Sequence, residues 1–136
     1  NSTKIGGTKM MNGIGGSADF TNNAYCSIFT CGSTTKGGHQ QHRAVLFHID
    51  HTSHFVDAVI TEYGVADLRG KCAMEKAAEL VKVAHPDYRP LLLDYMKYAA
   101  QNGGHTHHCL SAAFAMHDTY LRKGDMRLTD WAEYVK

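Results

Sequence analysis

The sequence predicts an α/β domain in which a mixed sheet is followed by three to four helices. Two observations carry that expectation. Up to Gly70 the chain alternates glycine-rich polar loops with short apolar runs, the texture of strands and turns. Beyond Gly70 apolar residues recur at three- and four-residue intervals, which is helical spacing. Strands first and helices last suit one α/β or α+β unit. With 136 residues, 43% of them hydrophobic, the chain is one domain or part of one and can bury a real core. Residues 1–70 are expected to hold the glycine loops and strands, and residues 71–136 the helices.

Residues 1–9 are polar and read as a loop or short edge strand. The stretch from Met10 to Phe20 is rich in glycine (Gly13, Gly15 and Gly16). Ser17 to Asn23 then offers helix-starting side chains. Residues 24–31 alternate as a strand, with Tyr25, Ser27, Phe29 and Cys31 against Cys26, Ile28 and Thr30. Residues 32–38 form a second polar glycine loop carrying Lys36. Residues 44–49 are a continuous apolar run, expected to be a strand buried on both faces. Residues 55–61 are another, broken by Asp57, and the two suit a mixed or antiparallel pairing. Met74, Ala77, Ala78 and Val81 share one face of the first long helix, which Pro86 ends. Leu91, Leu92, Tyr95, Tyr98 and Ala99 line the second, stopped by Gly103 and Gly104. Cys109, Ala112, Ala113, Met116 and Tyr120 line a third, which ends at Arg122-Lys123-Gly124, where Gly can take a left-handed cap. Residues 128–135 suit a short last helix, with Asp130 and Glu133 spaced as a capping box.

Composition narrows the function. Fourteen basic against thirteen acidic residues give +1, no electrostatic case for nucleic acid or a membrane surface. No apolar run approaches the roughly 20 residues of a membrane span. Cys26, Cys31, Cys72 and Cys109 lack CxxC spacing, so free, mostly buried thiols in a reducing, cytoplasmic setting are expected. Ten histidines raise the question of metal. They cluster at His48-Asp50-His51-His54 and His105-His107-His108-Cys109, but neither cluster has an established ligand spacing, so no metal site is assigned. A His-rich metal-binding module stays as a separate alternative.

Three segments carry chemistry. Around Gly13 to Gly16 the missing β-carbons let a ligand reach the main chain, and backbone N–H groups can meet an anion or a developing oxyanion. A tight strand-to-helix turn explains the same glycines. A dinucleotide site is discounted, because it needs an acidic residue about 20 positions on and none lies between Asp19 and Asp50. In the second segment, 61–70, Glu62 directly follows an apolar strand, a common place for chemistry in α/β proteins. Its plainer reading is a solvated strand end or an ion pair with Arg69. The third, 85–90, reads as a rigid structural turn in which Asp87 can cap the next helix.

Together these segments resemble the acetyl-CoA hydrolase/transferase family, in particular succinyl-CoA:acetate CoA-transferases. The resemblance rests on KMMNGIGGSADF from Lys9, STTKGG from Ser33, HIDHT from His48, TEYGVADLRG from Thr61 and AHPDYRP from Ala84, in the family's order and at its approximate spacing. It weakens after about Asn102. It implies part of a CoA-transferase-type (NagB/RpiA-like) fold, the later portion of a C-terminal domain. It implies acyl-CoA and small carboxylates such as acetate as substrates, coenzyme A being a substrate with no resident cofactor. It places Gly16 as oxyanion N–H donor and CoA contact, Asn12 and Lys36 as CoA contacts, and Glu62 as an accessory active-site carboxylate. The family's nucleophilic glutamate lies upstream of its glycine loop, whereas Glu62 is the first glutamate here. The nucleophile is therefore expected in a missing N-terminal part of the same protein, and the isolated chain is expected to be inactive. That the chain begins at Asn1 fits a piece of something longer. Net acyl-CoA hydrolysis and homo-oligomerisation both stay open.

Overall fold

The computed structural model describes residues 3–5, 9–11, 13–35, 43–46, 48–101, 103–105 and 107–135. Strands β1 (Thr3–Ile5) and β2 (Lys9–Met11) form an antiparallel pair. Helix α1 (Ser17–Asn23) leaves the glycine bend and buries none of its residues. Strands β3 (Ile28–Thr30), β4 (Ala58–Thr61) and β5 (Gly64–Asp67) form a second sheet in that order. β3 runs parallel to β4, from Ile28 opposite Ala58 to Thr30 opposite Ile60. β4 and β5 are antiparallel, Thr61 facing Gly64 across a two-residue turn. The expected mixed sheet is therefore present, with different members.

The strand expected at 24–31 starts late because Asp57 seizes its entry. The Ser27 N–H donates to Asp57 Oδ2 at 2.8 Å, and the Asp57 N–H donates back to the Ser27 carbonyl at 3.1 Å. The strand expected at 55–61 is shortened by the same contact. The described residues of 44–49 form no strand. Ala44 and Val45 instead pack against the helical core, and the Val45 carbonyl accepts from His117 Nε2 at 3.0 Å. Leu46 and Ile49 are exposed, so burial on both faces does not hold for the run; an apolar run does not by its spacing tell a sheet from a helix layer.

The helical half follows its periodicity. Helix α2 (Ala73–Lys82) begins where Glu75 Oε2 accepts the Cys72 N–H at 2.8 Å, capping a free donor. Helix α3 (Arg89–Ala100) buries Leu92, Tyr95 and Ala99. The 3₁₀ turn Pro86–Tyr88 ahead of it is capped by His85, whose Nδ1 accepts the Asp87 N–H at 3.3 Å, while α3 itself starts after Tyr88 with no side-chain cap, so Asp87 is not the cap. The third expected helix divides into a 3₁₀ turn (Leu110–Ala112) and helix α4 (Ala115–Lys123). Cys109, Ala112, Ala113 and Met116 are buried as expected. The last expected helix is two 3₁₀ turns, Met126–Leu128 and Trp131–Glu133. Asp130 does accept from the Ala132 N–H, but Glu133 turns to Arg122 and Lys123 and closes no capping box.

The main core joins Tyr88, Leu92, Tyr95, Met116, Met126 and Trp131. Trp131 Nε1 donates to the Leu91 carbonyl at 3.0 Å, and its ring lies 5.1 Å from that of Tyr95. A smaller core of Ala66, Leu68 and Val83 lies under the second sheet. Among the described residues no helix is long and apolar enough to cross a membrane. Cys26, Cys31 and Cys72 are exposed and only Cys109 is buried, against the expectation of mostly buried thiols, though all are free. Gly124 ends α4 at φ 77°, its N–H donating to the Tyr120 carbonyl at 2.8 Å. Gly124→Ala is expected to destabilise the protein by about 1 kcal/mol, because a β-carbon is disfavoured in that region. A urea titration should show a lower midpoint and an unchanged slope.

Candidate functional site

The parallel register of β3 and β4 brings their C-terminal ends together, the edge at which open α/β sheets place ligands. β3 leads to Ser33, which is fully buried, and β4 leads to Glu62 in the hairpin turn. There the Ser33 hydroxyl donates to Glu62 Oε1 at 2.6 Å, and the Ser33 N–H donates to Oε2 at 2.9 Å. One residue thus engages both carboxylate oxygens. The Ser33 hydroxyl first, then the backbone N–H groups of Glu62 and Ser33, hold the Glu62 carboxyl below the usual carboxylate range, with His85 adding least. Glu62 is therefore an anion at neutral pH. The neighbouring Cys31 thiol is pushed up, first by burial of the sulfur and then by the Glu62 charge, although the residue as a whole is exposed.

The ion pair considered for Glu62 does not form. Arg69 pairs with Asp67 at 2.8 Å and holds that carboxyl well below its ordinary range. The rigid 85–90 segment buttresses the hairpin instead. His85 meets Tyr63 edge-on at 5.7 Å, and the Arg89 guanidinium lies 5.2 Å from the Tyr63 ring centre. Arg89 Nε donates to the Ala84 carbonyl at 2.9 Å, and Thr61 Oγ1 donates to the Val83 carbonyl at 2.7 Å. Residues on both sides of Glu62 are thus tied to the segment that links α2 to α3.

The glycine bend is open to solvent from Gly13 to Gly16. The Gly16 carbonyl accepts from Phe20 N–H at 3.4 Å, while the Gly16 N–H donates to no group among the described residues. A β-carbon built on Gly16 would meet Phe20 Cε2 at 3.7 Å, an ordinary contact. Ser17 closes the bend: its N–H and its hydroxyl both reach the Ile14 carbonyl, at 3.3 and 2.5 Å. No hydrogen bond joins Gly16 to Glu62. Asn12 and Lys36, expected to contact CoA, lie outside the described residues.

Ser33 was missed by sequence reasoning. It lies in a loop singled out only for Lys36, and nothing but the β3–β4 register reveals its partner. The histidines turn to separate partners: His48 Nε2 to Asp50 at 2.9 Å, His107 Nε2 to the Gly104 carbonyl at 2.6 Å, and His108 Nδ1 to the Tyr95 hydroxyl at 3.3 Å. Among the described residues no three His, Cys, Asp or Glu side chains gather as metal ligands do.

The profile of the acetyl-CoA hydrolase/transferase C-terminal domain matches residues 1–96. The chain is 45% identical over 130 residues to the succinyl-CoA:acetate CoA-transferase of Clostridium kluyveri, an alignment covering 93% of this chain and 24% of that protein. It is 42% identical over 142 aligned positions to the acetyl-CoA hydrolase of Candida glabrata, covering 96% of this chain and 27% of that one. Among solved structures, the 4-hydroxybutyrate CoA-transferase of Porphyromonas gingivalis matches with a TM-score of 0.51 and 36% identity, over 60% of this chain and 22% of that chain. The chain spans about a quarter of the length of the curated relatives it matches.

Proposed function

The chain belongs to the acetyl-CoA hydrolase/transferase family, and from that we propose that it forms part of a CoA-transferase acting on acyl-CoA and a short carboxylate such as acetate. In this reading a glutamate outside the chain attacks the thioester carbonyl of succinyl-CoA or a similar donor. The CoA thiolate leaves and a mixed anhydride forms. The thiolate then attacks the glutamyl carbonyl, expelling the free carboxylate and leaving a glutamyl-CoA thioester. An acceptor carboxylate reverses the two steps. Each attack generates a tetrahedral oxyanion.

The observation that carries the reading is the exposed glycine bend, whose Gly16 amide donates to no group among the described residues. A donor placed at such an oxyanion is worth about 3 kcal/mol or more of barrier. The absent β-carbon leaves the pantetheine end a path to that amide. Glu62 serves as an accessory carboxylate: it accepts hydrogen bonds and orients neighbours, and it is not the nucleophile. Asn12 and Lys36 are assigned to CoA contact. A cytoplasmic location belongs to the same reading and is supported by the free cysteines.

The second reading is net hydrolysis, in which water resolves the glutamyl thioester. The 42% identity to an acetyl-CoA hydrolase favours keeping it. The two separate in one assay of the full-length parent with succinyl-CoA, with and without acetate. Transfer requires acetate and yields acetyl-CoA; hydrolysis releases free CoA without it. The expected result is acetate-dependent acetyl-CoA from the parent and neither product from the 136-residue chain. Turnover by the chain alone would overturn the placement of the nucleophile outside it.

A further inference from the structure

We infer that His51 is a positioning residue of this site, setting the Gly13–Gly16 bend against the strand pair that leads to Ser33 and Glu62. The inference rests on the reading of Gly16 as an oxyanion donor. His51 Nε2 lies 2.8 Å from Ser17 Oγ. The Ser17 hydroxyl donates its proton to the Ile14 carbonyl. The bond to His51 is therefore made by Nε2–H donating to the Ser17 oxygen. His51 Nδ1, left without the proton, is buried and has no hydrogen-bond partner among the described residues.

That tautomer decides what the Ser17–His51 pair does. An activated serine needs an imidazole lone pair facing its hydroxyl. Here the lone pair sits on Nδ1, away from Ser17, and the hydroxyl proton is committed to the bend. The pair fixes geometry and makes no nucleophile. The other side of the imidazole fixes the sheet end of the link. Its ring centre lies 5.1 Å from that of Phe29 at 58°. Phe29 belongs to β3 and faces Val59 of β4, the strand that runs on to Glu62. Because α1 buries no residue, apolar packing of that helix does not register the bend. The chain of contacts from Ile14 through Ser17 and His51 to Phe29 does.

The test uses the full-length parent. His51→Phe keeps a ring against Phe29 and removes the donor. His51→Gln places an amide N–H near the Nε2 position. His51→Phe is expected to lower kcat about tenfold, since a small displacement of a catalytic group is enough for such a loss, with KM for acyl-CoA unchanged. Amide hydrogen exchange over residues 13–20 should quicken, and His51→Gln should recover both. Exchange and kcat both unchanged in His51→Phe would overturn the inference. So would quickened exchange with normal kcat, or a His51→Gln variant as impaired as His51→Phe. Should His51→Phe not fold, His51→Asn, whose amide nitrogen mimics Nδ1, replaces it in the comparison with His51→Gln. Gly16→Ala separates the two ideas. If Gly16→Ala is severe while His51→Phe turns over normally, only the His51 inference falls; if Gly16→Ala is silent, the oxyanion reading falls with it.

Discussion

Gly16→Ala in the full-length parent is expected to lower turnover about 10²-fold, the order of loss that small misplacements at a reacting centre produce. The fold should survive the change, which is what makes the variant informative. Gly16 has φ −87° and ψ 6°, a conformation open to alanine. Its new β-carbon would lie 3.7 Å from Phe20 Cε2 and strain nothing. Alanine also narrows the unfolded ensemble, an effect of about 0.4–1 kcal/mol in favour of the fold. A folded, inactive variant would locate the damage on the thioester's path to the amide. Near wild-type turnover would remove Gly16 from its role.

Ser33→Ala should shift the pH profile of the parent in a stated direction. The Ser33 hydroxyl is the leading cause of the lowered Glu62 pKa, with backbone donors behind it. Removing it leaves the N–H bond at 2.9 Å and moves the Glu62 carboxyl up toward the ordinary value of about 4.3. If an ionised Glu62 is required, the acidic limb of kcat/KM moves up in Ser33→Ala. Stability responds with the same sign. A lowered folded-state value stabilises above the unfolded one, and that contribution is lost as pH falls through the folded value. An unmoved acidic limb would show that Glu62 ionisation does not govern the rate. Glu62→Ala should impair turnover less than Gly16→Ala, because its part is positional.

The helices were legible because a helix repeats its buried face. Leu92, Tyr95 and Ala99 were expected together and are buried together, and the cap at Gly124 is read from one residue. The strands were less legible. β5 hides among turn residues, with only Val65 and Ala66 to show its alternation, and no separate strand was expected there. The run at 44–49 failed the other way: Ala44 and Val45 pack against helices, which needs no ladder, while Leu46 and Ile49 are exposed. The site divided along the same line. Glu62 announced itself by following a strand, whereas Ser33 acquires its meaning only from which strand lies beside β4. His51 was visible only as one of several loop histidines, its tie to Ser17 being a contact between residues far apart in the chain.

β4 has two neighbours of very different reach. β5 is joined to it by a two-residue turn, while β3 meets it only after the long connection from Thr30 to Ala58. Hairpins close in roughly 1–10 µs, whereas distant pairings wait on the entropy of ring closure. A refolding chain therefore presents Glu62 on its turn before Ser33 arrives. Until that arrival the carboxylate is hydrated and titrates as a free one does. Refolding in mild acid should then slow in the step that docks β3, because a protonated Glu62 offers a poorer acceptor to the incoming serine.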